Sequence, residues 1–165
     1  MYTKIYSWCY ILLLCSLLGG CSSIHEDDDV VERVKVGDRV PAFTVDMVKE
    51  GSRSTFSTNS LTGETVIVFF NTWCPDCQRE LPELNAYYLQ HKEEAGFQMI
   101  AISRGEGEDV VAPFWEEYGL QIPYSAQDNR SVFELFASSV IPRVYVVSAQ
   151  GIVTRVLIED FDIGK

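Results

Sequence analysis

Histidine and positive charge are scarce in this 165-residue chain, and each scarcity closes off a class of function. The two histidines, His25 and His91, stand far apart. A tetrahedral zinc site needs four nitrogen or sulfur ligands, and these two with a pair of cysteines make a poor set. Lys and Arg number 13 against 24 Asp and Glu, a formal net charge of −11. So acidic a surface repels phosphate backbones and anionic headgroups, which argues against nucleic acid as a partner and against electrostatic attachment to a membrane. Long apolar runs are missing too. Trp8 to Leu18 is only about eleven residues, where a helix crossing a bilayer needs roughly 20. No segment repeats. Apolar residues make up 47%, enough for one domain with a single core.

Two of the five cysteines, Cys9 and Cys15, fall in residues 1–20. There a single positive charge, Lys4, precedes the apolar run, which ends in Gly19 and Gly20, the layout of a secretory signal. Leu18-Gly19-Gly20-Cys21 resembles the bacterial lipobox. That resemblance implies cleavage before Cys21 and lipid attachment to it, with several acyl chains holding the protein to a membrane. Residues 21–33 carry four consecutive acids, Glu26 to Asp29, which repel one another and bury nothing. They are expected to form an acidic disordered tether. The stretch also resembles the acidic export signal of some surface lipoproteins. The expected location is the cell envelope, lipid-anchored, facing the periplasm or the cell surface. Only Cys74 and Cys77 then remain as thiols, too close together to staple a domain.

Residues 34–165 read as the folded domain. An extended stretch around Pro41 leads to an edge strand at 41–45, with a short partner at 53–57. Thr65-Val66-Ile67-Val68-Phe69-Phe70 is a β-branched and aromatic run, as in a strand covered on both faces. A helix is predicted from the cysteine pair to about His91, with Leu81, Leu84 and Tyr88 at helical spacing. A second buried strand spans 97–102, and a loop 103–109. Val111, Phe114, Trp115 and Tyr118 mark an amphipathic helix with Pro113 near its start, ended by Gly119. A short helix over 129–138 and a hairpin of 144–147 with 152–158 complete the chain. The fold class is α/β, a central mixed β-sheet flanked by helices, with an N-terminal β extension.

Cys74-Pro75-Asp76-Cys77 falls where a buried strand meets a helix. Cys74 is placed as N-cap, and Pro75 at the first helical position, where its fixed φ fits and its missing N–H costs nothing. The Cys74 sulfur then lies over free backbone N–H groups at the positive end of the helix, and both favour the nucleophilic thiolate. Cys77, one turn on, is in reach of a mixed disulfide on Cys74, as two-step thiol–disulfide exchange requires. A c-type haem attachment would need His where Gln78 stands. A peroxidatic Pro-x-x-x-Thr/Ser-x-x-Cys motif is replaced by Ile67 and Asn71.

The run from Phe69 to Leu84, with Val36-Gly37-Asp38-Arg39-Val40-Pro41-Ala42-Phe43 before it and Ile141-Pro142-Arg143-Val144-Tyr145-Val146-Val147 after it, resembles the TlpA/ResA-like thioredoxin family. These are exported thiol–disulfide oxidoreductases, often of cytochrome c maturation. The resemblance implies a thioredoxin-like fold. It makes Cys74 the exposed attacking cysteine and Cys77 the more buried resolving one. It implies that Trp73 packs beside the pair, that Pro82 kinks the active-site helix, and that Pro142 is a cis-proline facing the sulfurs. Ile141 would then offer its backbone to an extended client. Glu80 matches an acid that assists proton transfer. Thioredoxin proper has a buried Asp six residues before its first Cys; here that position is Val68. The helix that usually follows the last hairpin is expected to be absent, because only 159–165 remain. Asp76 is expected to oppose the thiolate and so make the pair a reductant. Partners would be a disulfide-containing exported protein, a membrane thiol electron donor and the membrane itself through the lipid. No cofactor or metal is required. Two binding roles stay open for the same pair, redox sensing and metal delivery.

Overall fold

The structure, a computed structural model, describes residues 31–158. The leader, Cys21, most of the acidic tether and the expected lack of a closing helix all fall outside the described residues.

Seven strands form one sheet: β1 (Thr44–Lys49), β2 (Ser52–Ser57), β3 (Thr65–Phe70), β4 (Gln98–Ser103), β5 (Tyr124–Ser125), β6 (Arg143–Val147) and β7 (Val153–Ile158), in the order β2-β1-β5-β4-β3-β6-β7. Helices are α1 (Pro75–His91), α2 (Glu108–Glu117) and the single turn α3 (Ser131–Glu134). β3 lies parallel to β4 and antiparallel to β6, so the sheet is mixed as expected. All six residues of β3 are buried, which is why the run shows no polar alternation. Because successive strand residues face opposite sides, Phe69 and Phe70 report on the two faces. Phe69 packs on Phe133, Phe136 and Tyr145, whereas Phe70 packs on Trp115 of α2. Both faces of the sheet centre are therefore closed by aromatic side chains.

Several elements differ from the sequence reading. The first strand is Thr44–Lys49 rather than 41–45, and it is not at an edge, since β2 lies outside it and β5 inside. Its register with β2 is set by a two-residue turn in which Glu50 (φ 50°) and Gly51 (φ 75°) both take positive φ, the form that follows strand twist. The two-residue β5 was not foreseen; nothing so short carries a periodicity. α2 begins at Glu108, three residues before Val111, so Pro113 lies inside it. Glu108 and Asp109 suit the positive end of a helix, which extends it backwards into the expected loop.

The helix expected over 129–138 shrinks to one turn because the backbone beyond it pairs with the N-terminal segment. The Phe136 carbonyl accepts from the N–H groups of Arg33 and Val34, and Ser138 and Val31 exchange hydrogen bonds. Residues 31–33, assigned to the tether, thus belong to the domain. Their anchor is Glu32, whose carboxylate lies 2.6 Å from Nη1 of the fully buried Arg143.

Candidate active site

β3 ends at Phe70, a three-residue loop follows, and Cys74 caps α1. The Cys74 backbone is extended (φ −80°, ψ 117°), and its sulfur accepts the Cys77 N–H at 3.4 Å. Pro75 opens the helix as expected. The capping bond closes one orphan donor of the helix start and draws Cys77 to the same end of the helix as the Cys74 sulfur.

Across from α1 the loop before β6 brings in Ile141 and Pro142, joined by a cis peptide bond. The Cys74 thiol lies 3.7 Å from the Ile141 carbonyl oxygen and donates to it. That loop is shaped by Arg143, whose Nε and Nη2 donate to the Val140 and Ser139 carbonyls while Nη1 meets Glu32. Burial works against the Arg143 charge, but the Glu32 carboxylate outweighs it and holds the guanidinium above its ordinary range.

Cys74, Cys77, Pro75, Ile141 and Pro142 therefore converge. Cys74 is less open than expected: it is 6% exposed, because capping the helix and facing Ile141 cover most of the sulfur. Cys77 is 0% exposed, and burial pushes its thiol far up from the ordinary value of 9.0. It stays protonated at neutral pH unless something nearby offsets that burial. Trp73 stands 65% exposed beside the pair, so it projects outward. Glu80 is buried three residues past Cys77, and its carboxylate accepts from Arg79 Nε at 2.9 Å; no printed contact joins it to either sulfur. Pro82 lies inside α1, where its missing N–H leaves the Gln78 carbonyl without a helical donor. Asp76 is engaged by Arg79 Nη1 at 2.7 Å, and the arginine that acts on Cys77 is instead Arg104, whose charge favours the thiolate. The expectation that Asp76 sets the redox behaviour is corrected accordingly.

Sequence reasoning missed the support of the loop between β3 and α1. Asn71 Nδ2 donates to the Arg104 carbonyl (3.1 Å), and Arg104 Nε donates to Asn71 Oδ1 (3.2 Å). Glu106 accepts from the Thr72 N–H (2.7 Å) and hydroxyl (2.9 Å), and Gln78 Nε2 donates to the Thr72 carbonyl at 2.7 Å. The signal was the strand register. Phe70 pairs with Ser103 in a parallel ladder, so the residues that follow the two strands emerge side by side. Among the described residues, no three His, Cys, Asp or Glu side chains are grouped to hold a metal, and no helix is long and apolar enough to cross a membrane.

With this geometry described, likeness to known proteins can be weighed. The thiol-disulfide oxidoreductase ResA of Oceanobacillus iheyensis is 29% identical over 149 residues, spanning 89% of this chain and 76% of that protein. ResA of Bacillus subtilis is 28% identical over 127 residues, 76% of this chain and 69% of its own length. A thiol:disulfide interchange protein of the thioredoxin family from Chlorobium tepidum superposes with a TM-score of 0.62 at 25% identity, over 74% of this chain and 86% of that one. The fold is thioredoxin-like, as the sequence resemblance implied. The sequence profile of the AhpC/TSA family matches residues 36–156, and the chain belongs to that family.

Proposed function

We propose that the chain is a thiol–disulfide oxidoreductase that reduces disulfides in exported proteins. The observation that carries this reading is the Cys74 sulfur, capped by the Cys77 N–H at the start of α1 and 3.7 Å from the Ile141 carbonyl. A client strand laid along Ile141 would bring its disulfide to Cys74. The Cys74 thiolate attacks one client sulfur, the client S–S bond breaks, and the released sulfur takes up a proton. Cys77 then attacks the Cys74 sulfur of the mixed disulfide. The second client sulfur leaves, the Cys74–Cys77 bond forms, and two electrons have passed to the client. A membrane thiol donor returns them; cytochrome c maturation is one setting that needs such a reductant. The reducing direction is supported by the burial of Cys77, which leaves the reduced pair little stabilised as thiolate. Trp73 offers an exposed apolar face to the client, and Glu80 is the acid placed to relay protons. The leader pattern and Cys21 support export and lipid anchoring in the envelope.

The test is incubation of the reduced protein with a disulfide-bonded peptide. The wild type should end as the Cys74–Cys77 disulfide with a reduced peptide. Cys77→Ala should stop as a mixed disulfide on Cys74, and Cys74→Ala should do neither. Two unreacted thiols in the wild type after prolonged incubation would contradict the reading.

A further inference from the structure

Thiol exchange as described leaves one charged side chain beside the sulfurs without a role. Arg104 leaves the end of β4 half-buried, with its N–H on the Phe70 carbonyl at 2.9 Å. Its guanidinium carbon is 5.3 Å from the centre of the Phe133 ring, and Nε is fixed on Asn71. No carboxylate among the described residues comes within ion-pair distance of it. Glu106 is the nearest acid in sequence, and its oxygens are committed to Thr72. Burial and Arg130 both work against the Arg104 charge, while Cys77, Cys74 and Glu106 favour it. A partly desolvated cation without an anion is costly, so its position calls for an explanation.

Asn71 supplies the link. Its side chain is locked to Arg104 by two hydrogen bonds, its carbonyl accepts the Cys74 N–H at 3.4 Å, and its backbone bonds to the Cys77 sulfur. Arg104 therefore braces the one loop residue that contacts both cysteines. The other groups facing the sulfurs are accounted for: Glu80 and Asp76 on α1 are both engaged by Arg79.

We propose that Arg104 is a positioning residue for the resolving step: it holds Asn71 against Cys77 and places a fixed positive charge where the Cys77 thiolate forms. The proposal rests on the exchange reaction above and deepens it. In that step Cys77 gives up its proton to solvent, attacks the Cys74 sulfur, and expels the client sulfur as a thiolate that is then protonated. Burial opposes the ionisation of Cys77, whereas the Asn71 backbone and Arg104 assist it. Arg104 thus occupies the place of an internal charge in a core whose position 68 is a buried valine.

The test uses one equivalent of dithiobis-nitrobenzoate on the reduced protein. Capping of Cys74 releases a first nitrothiobenzoate in a phase proportional to reagent. Attack by Cys77 releases a second in a unimolecular phase. If losing the charge raises the Cys77 ionisation by about one pH unit, thiolate falls about tenfold while its nucleophilicity rises about threefold. The second phase in Arg104→Met is then about threefold slower than wild type, with its pH profile displaced to alkaline values. Arg104→Lys, which keeps the charge but not the fork, should return the profile most of the way; Arg104→Gln serves as the neutral partner if the methionine variant does not fold. A neutral variant whose second phase matches wild type at every pH overturns the proposal. So does a lysine variant as displaced as the neutral one, since that would mark a purely structural role. A wild type that releases only one equivalent overturns the exchange reaction itself, which separates the two failures.

Discussion

Glu32→Ala should cost this domain far more than the loss of an ordinary surface charge. Arg143 is 0% exposed, and Glu32 is its anion, at 2.6 Å from Nη1. After substitution the guanidinium would keep two backbone carbonyls, of Val140 and Ser139, and no counter-charge. Removing one partner of a buried pair typically costs about 3–5 kcal/mol, against at most about 1 kcal/mol for an exposed pair. The Glu32 side chain is 29% exposed, so water can reach the vacated position and the loss should sit near the lower end, about 3 kcal/mol. For a domain of this size that lowers the melting temperature by about 10 °C. The assay is urea unfolding of wild type, Glu32→Ala, Arg143→Met and the double variant. The double variant should be more stable than Glu32→Ala alone, because it removes the stranded charge. If Glu32→Ala unfolds within about 0.5 kcal/mol of wild type, the N-terminal segment does not neutralise Arg143 and this account of residues 31–34 is wrong.

Trp73→Ala should leave stability within about 0.5 kcal/mol, because the side chain is 65% exposed, yet slow exchange with a peptide disulfide more than with a small aromatic disulfide; equal slowing of both would remove its role in docking. The reduced protein should lose stability in alkali through Cys77. Unfolded, that thiol ionises near 9.0, while burial holds the folded thiol protonated well beyond it. The contribution is complete below pH 9 and declines as pH rises above it, by about 1.4 kcal/mol per pH unit. Cys77→Ala should therefore show a flatter stability profile from pH 9 to 10 than reduced wild type, both measured by urea unfolding; parallel profiles would contradict the burial argument. Tyr145, also raised by burial, begins to act above its ordinary 10.0 in both proteins alike.

The parts of the site set by local sequence were legible in advance. An all-apolar run, then Cys-Pro at a helix start, specifies a buried strand and a capped helix without knowledge of the rest, and the Cys74 sulfur lies where that logic put it. What escaped was set by distant pairing. The Asn71–Arg104 link spans 33 residues and Glu32–Arg143 spans 111, and no periodicity announces either. The covering of Cys74 escaped for the same reason, since the Ile141 carbonyl that faces it comes from 67 residues away. The boundary of the tether was misplaced because charge density alone was weighed: an acid beside four others reads as solvated until a buried arginine is known to await it.

The most direct test of the central claim is the order in which the two sulfurs react. Native reduced protein treated briefly with limiting iodoacetamide, then digested and weighed by mass spectrometry, should carry its adduct on Cys74, with Cys77 labelled only after unfolding. Labelling of Cys77 ahead of Cys74, or of both at the rate of a free thiol in an unfolded chain, would contradict the assignment of attacking and resolving roles.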